Sequence, residues 1–215
     1  RLRSEIDLST PDPATWPVFD PFEDIEATPP TNTASIPLPA DSKRFFVVEG
    51  YPAPPAFYDD FENGQGGWTT LVNDASGNTQ WELGAPAGST GPLTGADDSA
   101  NAWCTNLGNY GAGSDISLRS PAIDLTEVPG PVLSFEAFRD ADGFGDTAEV
   151  RFLRLDGTQI GASVPLIMTL FDTGFTTIEI PVDAAAIGET IIIEFNFVSD
   201  GSADAFSGLT IDNVS

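Results

Sequence analysis

Histidine is absent from this 215-residue chain, cysteine occurs once, and Lys43 is the sole lysine. Without imidazole there is no Ser-His or Cys-His nucleophile pair, and the usual zinc site loses its commonest ligand. A single cysteine forbids an internal disulfide. Cys104 follows Trp103 in a strand-like stretch and reads as a small buried hydrophobe. No apolar run approaches the ~20 residues that span a bilayer, so membrane insertion is not expected. Eight basic residues face 33 acidic ones, for a net charge of −25. Such a chain repels nucleic acid and anionic lipid. An acidic, lysine-poor surface suits high ionic strength or divalent-rich water, and equally serves simple solubility. The chain opens at Arg1 and stops at Ser215 after a strand-like run, and both ends read as cuts in a longer polypeptide.

Helical periodicity is also missing, and short strand signals recur instead. Val132–Phe138, Ala148–Phe152 and Ile191–Phe197 alternate apolar and polar residues, with Ile191, Ile193, Phe195 and Phe197 on one face. Asp156-Gly157 predicts a tight turn, and Asp183–Ala186 a single helical turn at most. Residues 1–50 differ. Leu2–Leu8, Ala34–Leu38 and Lys43–Glu49 predict a few strands with too little apolar surface to close a core, so this stretch reads as a partial β domain. Residues 51–56, with Pro52, Pro54 and Pro55, predict a stiff linker. Residues 57–215 predict an all-β, jelly-roll β-sandwich.

That second region is bracketed by acids. Asp59-Asp60-Phe61-Glu62 opens it and Leu209-Thr210-Ile211-Asp212-Asn213-Val214 closes it. If the two ends lie side by side, their carboxylates converge and need a cation between them. In an extended strand Asp60 and Glu62 would share a face while Phe61 points to the core. Solvated strand-end acids are the alternative. A second cluster, Asp140, Asp142 and Asp146 around Gly143, resembles half of a calcium loop without its full spacing or terminal glutamate, and reads preferentially as a flexible acidic hairpin loop. Asp97 and Asp98 read as a solvated turn. Trp68, Trp81, Trp103 and Tyr110 suit either sugar stacking or, preferentially, the core between sheets. The loop Gly84–Gly95 offers one lip of a groove.

Asp60-Phe61-Glu62, Gly67-Trp68, Trp81, Leu118–Leu125, Leu133-Ser134-Phe135 and Ile211–Val214 together resemble the MAM-like jelly-roll modules of secreted bacterial proteins. Asn101–Tyr110 is similar to that family's small-Trp-x-Thr-x-Leu-x-Gly-x-Tyr segment. Residues 1–50, through Ile6-Asp7-Leu8, Trp16-Pro17-Val18 and Arg44–Val48, resemble the tail of a fibronectin-III-like repeat. The resemblance implies a structural calcium held by Asp60, Glu62 and Asp212. It also implies an extracellular, non-catalytic module on a larger bacterial protein. Acids are abundant, but no compact strand-borne pair typical of jelly-roll glycosidases stands out, so no enzyme is expected. Two roles follow: binding of polysaccharide in adhesion, or a structural subunit whose residues 1–50 pair strands with other copies of itself.

Overall fold

The computed structural model describes residues 1–23, 25, 33–37, 39–50, 55–169, 171–202 and 205–215. The chain divides into two compact units, Arg1–Pro55 and Ala56–Ser215. Most of the expected linker, residues 51–54, lies outside the described residues, and the division falls within it.

In the first unit β1 (Leu2–Glu5) pairs antiparallel with β2 (Phe45–Val48), in the register Leu2↔Val48 to Glu5↔Phe45. Its small core holds Leu2 and Trp16, flanked by Phe19 set edge-on to Phe46 at 5.2 Å. Glu49 is clamped by Arg1 and Arg3. The hydrogen bonds from Arg1 first, then those from Arg3, hold its carboxyl down at about 2. The strand expected over residues 34–38 does not form across Ala34–Pro37, where Pro37 has no N–H to donate to a ladder; Leu38 lies outside the described residues.

The second unit is a sandwich. Its strands are β3 (Thr69–Val72), β4 (Trp81–Gly84), β5 (Ala102–Thr105), β6 (Asp115–Arg119), β7 (Ile123–Asp124), β8 (Val132–Asp140), β9 (Thr147–Leu153), β10 (Gln159–Leu166), β11 (Thr176–Pro181), β12 (Thr190–Val198) and β13 (Gly208–Asp212). One sheet runs β10-β9-β12-β6-β3, with β7 added to β12, and the other runs β11-β8-β13-β5-β4. Every pair is antiparallel, and the chain passes repeatedly between the sheets, as a jelly roll requires. Gly157, at φ +85°, makes the tight turn between β9 and β10.

Alternation decides what lies between the sheets. Ile193 sits opposite Phe152, Phe195 opposite Val150 and Phe197 opposite Ala148, and all six are buried. An aromatic chain crosses the interior: Trp103 to Phe61 at 6.4 Å, Phe61 to Trp68 at 5.4 Å, Trp68 to Phe195 at 6.2 Å, and Phe195 to Phe135 at 5.0 Å. Three of these pairs are edge-to-face and Trp68–Phe195 is stacked, and both arrangements add to the area they bury. On the outward side of the second sheet, Cys104, Thr210 and Asp212 are also buried. The long β4–β5 connection covers that side, tied down by the Ala96 N–H and the Ser99 hydroxyl, which both donate to Asp212. Burial pushes the Cys104 thiol up to about 12, which makes it inert.

Candidate functional site

The acidic ends do meet. Asp59 and Val214 form an antiparallel bridge, with N–H···O distances of 2.9 and 3.0 Å. The opening segment is not the extended strand that the alternation suggested. Phe61 takes a left-handed φ of +59° and still fills the core, while the Asp60 carboxylate caps the turn by accepting from the Glu62 N–H at 3.2 Å. Asp60 and Glu62 are therefore placed by a turn.

The β4–β5 connection completes the site. Asp212 Oδ2 accepts from the Ala96 N–H at 2.8 Å and the Ser99 hydroxyl at 2.9 Å, and Oδ1 accepts from the Asn213 N–H at 2.7 Å. Glu62 Oε1 accepts from the Asn101 N–H at 2.7 Å. Despite its three donors, burial pushes the Asp212 carboxyl above the usual aspartate range, and the charge of Glu62 adds to the push. Tyr58 donates to Asn213 at 3.1 Å. Its phenol is raised by burial and then by the charges of Asp60, Asp212, Asp59 and Asp97, so four carboxylates act on one ring. Asp97 and Asp98 are exposed, as a turn predicts, yet Asp97 belongs to this cluster.

Among the described residues, no three acidic side chains gather closely enough to enclose a metal ion by themselves. Oxygens of other kinds do converge. A methyl group on Gly95 would strike Ser99 Oγ and come within 2.5 Å of both Asn101 O and Asp212 Oδ2. These oxygens are of the kinds a hard cation takes, but they pack against the Gly95 α-carbon, and Asp212 Oδ2 is already engaged by the Ala96 N–H and the Ser99 hydroxyl. Among the described residues five non-glycines have positive φ, and four of them, Phe61, Asp97, Asp98 and Asn213, lie in the segments that meet here. Such conformations persist where surroundings hold them. Ser99, Asn101 and Gly95 were not among the sequence candidates, because two act through backbone atoms or a missing side chain.

The second acidic group disperses. Asp140 is buried and accepts from the Ser207 N–H and hydroxyl. Asp142 accepts from the Phe144 N–H in its own turn. Asp146 is buried, accepting from the Tyr110 hydroxyl and, at 2.9 Å, from the Asp200 N–H. Each carboxylate holds a different loop, so the structure does not bring the three together as one site. Trp68, Trp81, Trp103 and Tyr110 are all core residues.

The outward face of the first sheet carries a saturated polar array. Glu194, only 2% exposed, accepts from Arg119 at 2.6 Å and from Arg151 at 2.8 Å. Arg151 also binds Glu149 and Asn196, and Asn196 donates to Asp115 at 2.9 Å. The outward face of the second sheet has an open cleft of about 630 Å³. The loop Gly91–Asp98 forms one wall and Asp172–Phe175 the other, over Glu136 and Phe138. Phe138 and Phe175 meet edge-on at 5.7 Å. Asp172 is paired with Arg139, and Glu136 accepts from the Thr177 hydroxyl. Among the described residues no cationic side chain lines the cleft.

No family model matches the chain, and no curated protein matches it. The MAM-like and fibronectin-III-like likenesses therefore remain resemblances. In solved structures, the chain is similar to the K3 cleaved adhesin domain of Lys-gingipain from Porphyromonas gingivalis W83. The identity is 19% and the TM-score 0.49, over 74% of this chain and 96% of that one. The K1 domain of the same protein gives 19% and 0.45, over 74% and 95%. A carbohydrate-binding module of the β-sandwich superfamily gives 12% and 0.47, over 80% and 67%. These are loose likenesses of backbone shape. The all-β, two-sheet sandwich stands on the strand pairing itself.

Proposed function

We propose that residues 56–215 form a non-catalytic, extracellular carbohydrate-binding or adhesion module, stabilised by a calcium ion where its opening and closing segments meet. The cleft is the observation that carries the binding role. Its wall carries the exposed carboxylates Asp97 and Asp98, and Phe138 and the partly exposed Phe175 meet on the opposite side. Aromatic faces and hydrogen-bond acceptors are what a sugar ring with its hydroxyls needs. Because the cleft wall and floor carry Asp97, Asp98 and Glu136 without a cation, the fitting ligand is an uncharged glycan. A non-catalytic role is supported by the buried carboxylates Asp140, Asp146 and Glu194, each held by structural donors.

The calcium expected from the acidic ends would draw on Glu62 and Asp60 beside the buried Asp212, and it would have to compete with the Ala96, Ser99 and Asn213 donors that already hold Asp212. The test is retention on insoluble xylan, mannan and β-glucan, with polyuronates as acidic counterparts, alongside melting with and without chelator. Retention on no neutral glycan sinks the binding role, and melting indifferent to chelation sinks the calcium.

Assembly through strand pairing is the second reading. Among the described residues β2 pairs only with β1, and Val48 on it is 81% exposed. An open edge beside an apolar residue invites another strand. A concentration-dependent sedimentation coefficient abolished by Val48→Lys would support it, and a monomer at all concentrations would remove it.

A further inference from the structure

The cleft on the second sheet is blind at one end. Beyond Phe138 the floor strand β8 stops at Asp140, which is buried and accepts from the Ser207 hydroxyl at 2.9 Å and the Ser207 N–H at 3.1 Å. A methyl group on Gly91, the first residue of one wall, would lie 2.8 Å from Ser207 Cβ and 3.4 Å from Asp140 Oδ2, so that wall packs directly on Ser207. The Ser89 hydroxyl ties the same loop to the Ala205 carbonyl at 2.9 Å. Phe206, between Ala205 and Ser207, meets Phe171 at 5.3 Å, and Phe171 adjoins Asp172, where the other wall begins. Backbone and rings thus join the two walls across the Asp140 end.

The opposite end continues onto open sheet. Ile178 and Ile180 of β11 stand opposite Phe135 and Leu133 of β8 on the core side, so Thr177, Glu179, Glu136 and Ser134 face outward. Thr177 and Glu179 are exposed, and Ser134 and Glu136 are half-buried. Tyr58, 56% exposed, stands at this mouth. Its hydroxyl donates to Asn213, next to the Asp212 that pairs with Glu136, and Asp97 of the wall acts on its phenol. We infer that the cleft holds the end of a neutral glycan chain, with the terminal sugar against the Phe171–Phe206 closure and the chain leaving past Glu136 and Tyr58. This rests on the glycan reading proposed above and names the part of the polymer that is recognised. A chain running straight through would have to cross Phe171 and Phe206. The wall beside them is held in place, because Arg139 donates to Asp172 through its side chain and its N–H, and the Asp172 N–H returns to the Arg139 carbonyl. Such a barrier gives specificity by clash rather than by added contact.

The test uses the full chain with linear xylan, mannan and β-glucan, each as soluble fractions of narrow length, and sedimentation velocity to count the protein bound per chain at saturation. One protein per chain at every length is the expected result, so doubling the length should leave the protein per chain unchanged and halve the protein bound per gram. Protein per chain that doubles with length overturns the inference and spares the glycan reading. Binding of none of the three at any length overturns both. Borohydride reduction of the chains assigns the polarity: lost binding places the reducing end in the cleft, and retained binding places the other end there. Two variants check the position. Phe171→Ala, at the blind end, should weaken a disaccharide and a hexasaccharide of the bound sugar by the same factor, whereas Tyr58→Ala, at the mouth, should weaken the hexasaccharide alone. A hexasaccharide indifferent to Phe171→Ala in a protein that melts normally overturns the placement of the terminal sugar.

Discussion

The outward faces of the two sheets solve opposite problems. On the first sheet, Arg119, Glu194, Arg151, Glu149, Asn196 and Asp115 satisfy one another across β9, β12 and β6. On the second, a loop laid over β13 and β5 buries Asp212 and leaves an open, acidic cleft beside it. Both faces place charge where charge is costly. The first meets it with guanidiniums, and the second meets it at Asp212 with N–H and hydroxyl donors while Asp97 and Asp98 stay exposed.

Several changes would break or sharpen that contrast. The largest effect should come from Glu194→Ala, which strands two arginines around a vacated buried position. It should cost about 3 kcal/mol in denaturant unfolding, with glycan retention per folded molecule unchanged. A loss of retention would give the first face a binding role and erase the contrast. Chelation should be next. An ion present at about a hundred times its dissociation constant adds about 2.7 kcal/mol, so chelator should lower stability by that order. Gly95→Ala, whose methyl group crowds Ser99, Asn101 and Asp212, should make the melting temperature insensitive to chelator. Phe175→Ala should weaken glycan binding about tenfold, the scale of one aromatic contact, with little change in melting.

The smallest effect lies in the first unit. Glu49 is held down at about 2 by Arg1 and Arg3, so the stability it contributes is complete above the ordinary glutamate range. That contribution is lost as pH falls toward 2. Between pH 5 and 2, NMR signals of Phe46 and Val48 should broaden or shift before those of the sandwich core. Glu49→Gln should remove this early transition.

Much of this architecture was legible. Residues 191–197 alternate, and the structure buries Ile191, Ile193, Phe195 and Phe197 as that period demands. Glu194 and Asn196, on the other side of the same strand, are buried too, because guanidiniums from neighbouring strands lie over them. No single-strand pattern encodes that cover. That the segments around Asp59 and Val214 lie side by side was readable from their matched acidic character, though not which residues pair. The turn at Phe61 was not, since its side chain still points inward as a strand residue would. Asp140, Asp142 and Asp146 have the spacing of half a calcium loop, but β8 runs as far as Asp140 and commits that residue to Ser207. The clasp was invisible because its parts lie far apart, 116 positions for Ala96 and Asp212 and 39 for Asn101 and Glu62, and two of them act through backbone N–H groups.

The antiparallel bridge between Asp59 and Val214 also determines how the module responds to pulling. Tension applied through Tyr58 on one side and Ser215 on the other reaches that bridge first, as its two hydrogen bonds join the flanking backbones directly. The calcium proposed above, if held near Glu62 and Asp212, would lie close to that bridge. Such a module would act as a mechanical fuse: stiff in calcium-rich surroundings, and quick to unravel from its ends where calcium is scarce.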